Sequence, residues 1–527
     1  MQTILTTAAK GNNAMLSRRQ LLSRGATAAL LSATGTATEA RAPTERFAHG
    51  VASGDPLANS VILWTRISGG SERGDRVKWR IAADPAMRQV VNGGEVTALP
   101  WRDHCVKVDA DGLEDGRTWY YQFECNGQKS PIGRTRTLPV GDVSALRFAV
   151  VSCSNFPFGF FNAYGRIAAR EDLDAVLHLG DYIYEYAPGD YGDGSAIGRA
   201  HQPAHEIVTL ADYRQRHAQY RSDPDLRAAH QQHPWITVWD DHESANNSWR
   251  DGAENHQPAN GEGNWPDRRR AAERAYFEWM PIREHAGNRG AMTWRSFRFG
   301  TLCDLIMLDT RLWGRSEQVA NRLDDMAMNA SGRSILGADQ QAWLAEELRT
   351  SRRDGSRWRL LGQQCMFSQL LDAERHVLNT DQWDGYPASR AAILDQLAAE
   401  QIDNTVILTG DIHSAWALDV TRDPWNGYDP QTGSGSLAVE LITTSVTSPG
   451  PFGDEAKALE YENRFMTQLP HLRWTNFRQH GYLLVTLSAD TAQADWWMVD
   501  TIASRSEGES LARSMRIDNA SNCLARA

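Results

Sequence analysis

Five short, largely apolar runs recur after residue 145, and each closes on a cluster of polar, chemically reactive side chains. Ala175 to Leu179 breaks at Gly180 and delivers Asp181, Tyr182 and Tyr184. Leu146 to Val151 runs into Ser152, Cys153, Ser154 and Asn155, and Trp235 to Trp239 into Asp240, Asp241, His242 and Glu243. Trp358 to Leu361 leads to Gly362, Gln363 and Gln364; Thr405 to Thr409 leads to Gly410, Asp411, Ile412 and His413. Runs of this length and composition predict strands buried on both faces. Between them the period becomes helical. Phe160, Tyr164 and Ile167 share one face, and Thr209 to Asp212 opens a helix through Tyr220 with a capping-box arrangement. Asp267 to Met280 is amphipathic and stopped by Pro281, and Ser389 to Glu400 feeds the Thr405 strand. The alternation predicts a layered α/β architecture with an at least partly parallel sheet.

Upstream the period is two. Val77, Trp79 and Ile81 alternate with polar residues, as do Trp119, Tyr121, Phe123 and Cys125, with Gly69-Gly70 and Gly93-Gly94 between runs. Residues 46–138 therefore read as a small antiparallel β-sandwich, and 139–503 as the domain that carries the chemistry. Val439 to Ile442 and Gly481 to Thr486 predict a second sheet that completes a sandwich. Residues 504–527 form a polar tail, read as a lid helix or a disordered end. Two polar stretches without periodicity, Ala187 to His205 and Asn246 to Pro266, follow the reactive turns and border the expected crevice.

Residues 1–45 read as a targeting segment. Arg18 and Arg19 precede a weakly apolar stretch from Gly25 to Ala37, and Ala40 to Ala42 supplies a small-x-small cleavage pattern. This reads as a twin-arginine signal, which implies a periplasmic or secreted protein with the twin-arginine export machinery as a partner. The apolar run is too short to span a bilayer. A net charge of -11 argues against a nucleic-acid partner. Six cysteines show no framework spacing, and a Cys105–Cys125 bridge stays unproven by strand parity.

Open α/β sheets gather ligands outside the carboxyl ends of their strands. The residues waiting there are a metal-site inventory: oxygen donors for hard cations, plus Cys, Tyr and His for a transition metal. Each has a plainer reading. Asp181 could cap a turn, Tyr184 could be a wall aromatic, and Cys153 could be an inert buried thiol. His178, flanked by leucines, reads as a core histidine. Asp240 reads as a supporting or turn residue, and Asn246, Asn247 and Arg311 as phosphate contacts or crevice turns.

At these residues the chain resembles the PhoD-type alkaline phosphatases of the metallophosphoesterase superfamily. Phe47 to Pro56 with Val61 to Arg66, Arg269 to Pro281, and Leu308 to Arg311 are similar to further signatures of that family. The resemblance implies an α/β (α+β), four-layer metallophosphoesterase-like β-sandwich flanked by helices. It also implies a metal centre held by Cys153, Asn155, Asp181, Tyr184, Asp241, Asp411 and His413, with Asp181 bridging. His242 and Asp181 are the implied catalytic residues, and Asn155, His242 and Arg311 the substrate contacts. Cys153 and Asp411 stand where the superfamily has an aspartate and a histidine, which favours Fe3+ with Ca2+ over Zn2+ or Mn2+. Gln363 or Gln364 lies near the place of the superfamily's middle histidine.

The implied activity is an exported, metal-dependent alkaline phosphatase. It would hydrolyse small phosphate esters through in-line attack by a hydroxide that a metal ion makes available near neutral pH. A phosphodiesterase or phospholipase D-like enzyme on the same centre is the nearest alternative. A non-catalytic secreted binding protein is a more distant one, since every motif keeps a ligand-capable residue.

Overall fold

The computed structural model describes residues 45–284 and 291–526. The twin-arginine reading falls on residues outside this range. Two sheets face each other across the main core. The first has nine strands in the order Glu509–Asp518, Thr491–Val499, Gly481–Ser488, Ala145–Val151, Ala175–His178, Pro234–Thr237, Val51–Gly54, Val61–Arg66 and Cys105–Ala110. From Ala145–Val151 to Val51–Gly54 the pairing is parallel. The second sheet runs Arg295–Phe299, Cys303–Met307, Trp358–Gln363, Thr405–Thr409, Ser436–Ile442, Ala415–Thr421 and Leu472–Asn476, parallel from Cys303–Met307 to Ser436–Ile442.

The continuous apolar runs are explained by layering. Phe148, Val150, Leu177, Leu305, Leu360, Leu408 and Leu483 point between the two sheets. Their neighbours Ala149, Val151 and Val176 point outward, where they meet Tyr164, Tyr213 and Leu226 of the helices Asn162–Ala168, Leu210–Tyr220 and Pro224–Gln232. On the far side Ile306, Leu361 and Ile407 pack on Leu344, Leu348, Ile393 and Leu394 of Gly337–Arg353 and Pro387–Ala399. Each strand is thus apolar at odd and even positions alike. The result is four layers, helix on sheet on sheet on helix. Burying each Leu- or Val-sized side chain contributes roughly 1.5–3 kcal/mol, so the sandwich is the dominant source of cohesion.

Three expectations need correction. The amino-terminal sandwich is not built of two sheets of its own. A five-stranded sheet, with Val90–Ala98, Asp75–Ala82 and Thr118–Cys125 at its heart, packs Val77, Ile81, Tyr121 and Phe123 onto Val51, Val61, Leu63 and Val106. Those last residues belong to the nine-stranded sheet, because Val51–Gly54 pairs in parallel with Pro234–Thr237. Second, the late strands do not share a sheet: Ser436–Ile442 enters the seven-stranded one and Gly481–Ser488 the nine-stranded one. Third, the tail is neither lid helix nor disordered. Glu509–Asp518 is an edge strand paired with Thr491–Val499. Most of its side chains are exposed, so no apolar alternation marked it; its backbone pairing holds it instead.

Other readings hold. Thr209 and Asp212 form the capping box. Cys105 packs with Trp64 and Trp279 while Cys125 lies in a separate cluster, and both thiols are free. Among the described residues, no helix is long and apolar enough to cross a membrane.

Several buried histidines are kept neutral by the fold. Burial lowers His217 to about 3, with Arg221 adding to it; it lowers His471 to about 3 and His233 to about 4. The unfolded chain takes up protons at these sites near pH 6.5, whereas the folded chain does not. Stability is therefore expected to fall as pH drops below 6.5, by up to about 1.4 kcal/mol per pH unit for each such histidine. Urea denaturation midpoints at pH 7.5, 6 and 5 check this, and a midpoint that does not move would contradict it.

Candidate metal centre

All five reactive turns arrive at one end of the sandwich, because the strands that feed them run parallel. Gly180 shows how tightly the turns interlock. Its φ of 104° lies in the left-handed region, and a Cβ there would collide with Cβ and the backbone nitrogen of Asp240. The Cys153 N–H donates to the Gly180 carbonyl at 3.1 Å, and the Ser154 N–H to that of Asp181 at 3.0 Å. Four reactive residues take left-handed backbone themselves: Cys153 (φ 59°), Asp181 (56°), Asp411 (60°) and His413 (56°). For non-glycine residues this costs on the order of 1–2 kcal/mol each. Strain of this kind concentrates where function requires a particular side-chain direction.

Ligand-capable atoms form three overlapping groups. Those of Cys153, Asp181 and His413 lie within 4.8 Å of one another; so do those of Asp181, Asp241 and His242, and those of Asp240, Asp241 and Asp411. Asp181 is common to the first two groups. Tyr184 joins them: its hydroxyl donates to Asp181 Oδ2 at 2.8 Å, accepts from Ser448 Oγ at 2.7 Å, and lies 3.2 Å from His413 Nε2. Asn155 is fully buried, and neither its amide oxygen nor its amide nitrogen has a protein partner. A buried amide left open in this way fits a ligand position.

The tautomers suit the same purpose. His413 Nδ1 lies 3.1 Å from the Pro449 carbonyl, which can only accept, so Nδ1 carries the proton and Nε2 offers a lone pair. Burial lowers His413 to about 4 and keeps it neutral. His242 Nδ1 is 2.7 Å from the buried Glu185 carboxylate, leaving Nε2 available to the cleft that His242 lines. Its ring lies 4.3 Å from that of Tyr184, centroid to centroid.

The electrostatics describe a carboxylate cluster that wants positive charge. Burial pushes Asp181 up to about 7; His242 opposes this, while Asp241 and Asp411 add repulsion. Burial likewise pushes the Cys153 thiol and the Tyr184 phenol well up, and Asp181 adds to both. Burial would depress His242, but Asp241, Glu185 and Asp181 together raise it well above the usual histidine range. Asp241 is buried too, yet Arg311 and His242 hold it below the carboxylate range. A thiol, a phenol, carboxylates, an open amide and a neutral imidazole are the donor set of a metal centre that takes both soft and hard ligands.

One sequence reading of an individual residue is corrected. Arg311 does not reach out as a phosphate contact. It is fully buried and donates through Nε to Asp240, through Nη1 to both oxygens of Asp381 (2.8 and 3.0 Å), and through Nη2 to Asp411 at 2.8 Å. Gln363 and Gln364, near the place of the superfamily's middle histidine, are both engaged by neighbouring groups of the protein. Gln363 bonds Thr409 and Trp383, and Gln364 bonds Thr310 and the Leu308 carbonyl. His178 is the satisfied core histidine expected, 3.0 Å from the Tyr164 hydroxyl and stacked on Trp235. Asn246 and Asn247 line the cleft, and the Asn247 N–H holds Asp241 Oδ2 at 2.6 Å.

Sequence reasoning gave no role to five residues of the site. Glu243 accepts from the backbone N–H groups of Asp181, Tyr182 and Asp240 and so ties two turns together. Glu185 orients His242, Ser448 holds Tyr184, and Asp381 and Gln382 border the cleft beside Asp411. Glu185 and Glu243 were visible as acids directly after Tyr184 and His242. Asp381, Gln382 and Ser448 lie in stretches with no periodicity to recommend them.

Fold and site together define the class: a four-layer α/β sandwich enzyme whose reactive groups are metal-ligand types gathered at the strand ends. Within that class the chain belongs to the PhoD-like phosphatase family, whose sequence model matches residues 148–496, while that of the "PhoD-like phosphatase, N-terminal domain" matches residues 32–139. It is 37% identical to alkaline phosphatase D of Bacillus subtilis (strain 168) over 466 residues, 85% of this chain and 77% of the relative. A solved structure of PhoD superposes with a TM-score of 0.83 at 34% identity, covering 92% of this chain and 93% of the other. The chain is accordingly a phosphoric-ester hydrolase.

Because Glu185 holds the His242 ring, Glu185→Gln should lower turnover about 10- to 100-fold, as loss of an outer-sphere carboxylate does at such centres. Steady-state kinetics of the purified variant, with its melting temperature, check this. Unchanged turnover would show that His242 needs no such support.

Proposed function

We propose that this protein is an exported alkaline phosphatase acting on small phosphate esters at a centre of ferric iron and calcium. One observation carries the reading: Asp181 belongs to two ligand groups at once, as a carboxylate shared by two cations would. Cys153, Asp181, Tyr184 and His413 would hold the iron, for thiolate and phenolate are the strong anionic donors a ferric ion prefers. Asn155, Asp181, Asp241 and Asp411 offer the oxygen donors calcium takes. When bound, such cations supply Lewis-acid stabilisation to phosphoryl oxygens and make water a usable nucleophile near neutral pH.

The chain's own groups do the rest. His242, held through Nδ1 by Glu185, presents Nε2 to donate to a phosphoryl or leaving-group oxygen as negative charge develops there. The carboxylates enter the cleft on rigid turns, so little reorganisation accompanies reaction. The cleft holds about 140 Å³ and is bounded by Tyr186, Tyr191, Asn246, Asn247, Pro449 and Pro451, a scale that suits a phosphoryl group with a small substituent. The arginine pair near the amino terminus supports export through the twin-arginine route, in which the folded protein could carry its metals across.

Phosphodiester hydrolysis is the second reading, favoured by one feature. Among the described residues, no Lys or Arg lines the cleft, while two tyrosines and two prolines give it an apolar wall able to take a second alcohol. Comparing p-nitrophenyl phosphate with its bis-ester at alkaline pH separates the two. Chelator-sensitive monoester turnover supports the phosphatase and its calcium; preference for the bis-ester moves the assignment to a diesterase on the same residues. Asp181→Asn should abolish hydrolysis of both, by at least about 10³-fold, while leaving the circular dichroism spectrum intact. Retained activity in that variant would overturn the metal assignment.

A further inference from the structure

Arg311 occupies a position that neither substrate binding nor core packing explains. It follows the strand Cys303–Met307, and its own N–H is tied to Asp309 Oδ1 at 2.9 Å, which fixes where the side chain departs. A guanidinium has five N–H groups in a planar fork. Here Nε serves Asp240, Nη1 serves both oxygens of Asp381, and Nη2 serves Asp411. The same Nη2 lies 3.9 Å from Asp241 Oδ2. One fully buried cation therefore touches three carboxylates and faces a fourth. Arg315, also fully buried, braces it from behind by donating to the Asp381 side chain and, at 2.6 Å, to the Asp381 carbonyl. Gln382 Nε2 takes the other oxygen of Asp411 at 2.6 Å.

This matters for the group Asp240, Asp241 and Asp411, whose oxygens stand close enough to hold a cation of their own. The guanidinium already fills that role from inside the protein. Asp240 meets it in the interior, 0% exposed. Asp411 and Asp241 border the cleft, and each carboxylate oxygen engaged by a single N–H keeps a second lone pair.

We propose that Arg311 is a positioning residue: a built-in cation that neutralises the Asp240 side of the cluster and anchors Asp411 so that, beside Asp241, it faces one calcium position in the cleft. The proposal rests on the metal reading above. It predicts a selective defect. Without the fork, Asp240 is a buried acid with no counter-charge and Asp411 loses its anchor. The position formed by Asp241 and Asp411 then weakens, while that formed by Cys153, Tyr184 and His413 shares no contact with Arg311.

The test is metal content and calcium titration of the purified wild-type protein, Arg311→Met and Arg311→Lys, each checked for folding by thermal melt. Atomic emission gives metals per chain, and isothermal titration gives calcium affinity. The expected result is iron near the wild-type level in both variants. Calcium affinity should fall tenfold or more in Arg311→Met and also in Arg311→Lys, because an ammonium restores the charge but cannot reach three carboxylates in one plane. Wild-type calcium affinity in a folded variant would overturn the proposal, and so would parallel loss of both metals. If Arg311→Met does not fold, Arg311→Lys decides alone by the same criterion. Wild-type protein that binds neither metal would instead refute the metal reading itself.

Discussion

Four aspartates, Asp181, Asp240, Asp241 and Asp411, are buried or nearly so within a few ångströms of each other. Two like charges 5 Å apart repel by about 3 kcal/mol even at an effective dielectric of 20. Such a cluster persists only where the scaffold imposes it and positive charge answers it. Here the scaffold is the double sheet, whose apolar core brings parallel strand ends to one edge. The answering charges within the chain are Arg311, backed by Arg315, and His242 beside Asp181 and Asp241, with backbone N–H groups also directed at Asp241. Toward the cleft, burial, with repulsion from Asp241 and Asp411, still pushes Asp181 up to about 7.

The site is stiff for local reasons. Left-handed residues at Cys153, Asp181, Asp411 and His413 place side chains where a regular strand or helix exit would not. Glu243, with three backbone N–H donors, welds the turn of Asp181 to that of Asp240. Gly180 permits the two turns to touch at all. Both oxygens of Glu243 are taken by these backbone donors, so this carboxylate belongs to the frame even though it sits beside the reactive groups.

The amino-terminal region is part of the same frame. Its strand Val51–Gly54 extends the nine-stranded sheet, and Asp55, at the end of that strand, takes two bonds from Arg295 of the second sheet. This buried ion pair clamps the two sheets at the edge beside the amino-terminal region. The five-stranded sheet then covers an apolar face that would otherwise meet water.

By itself the sequence determined the strand ends and what they carry. Largely apolar runs closed by Cys153, Asp181, Asp241 and His413 are legible because a strand buried on both faces admits few polar residues, and those only with a partner such as Tyr164 for His178, until it leaves the core. Helix limits such as Thr209 were legible through their caps. Pairing partners were not. That Val51–Gly54 joins the main sheet depends on backbone hydrogen bonds to Pro234–Thr237, far along the chain, and that Glu509–Asp518 is a strand depends on its backbone pairing with Thr491–Val499; neither leaves a pattern in side-chain polarity. The direction of Arg311 was likewise hidden: an arginine after a strand end can face phosphate or carboxylate, and only folding brings Asp240, Asp381 and Asp411 around it. Chemistry near a strand end is a local property that composition records. Who neutralises whom in a buried site is a property of the three-dimensional arrangement, since charges separated by a hundred residues interact only once the core has closed.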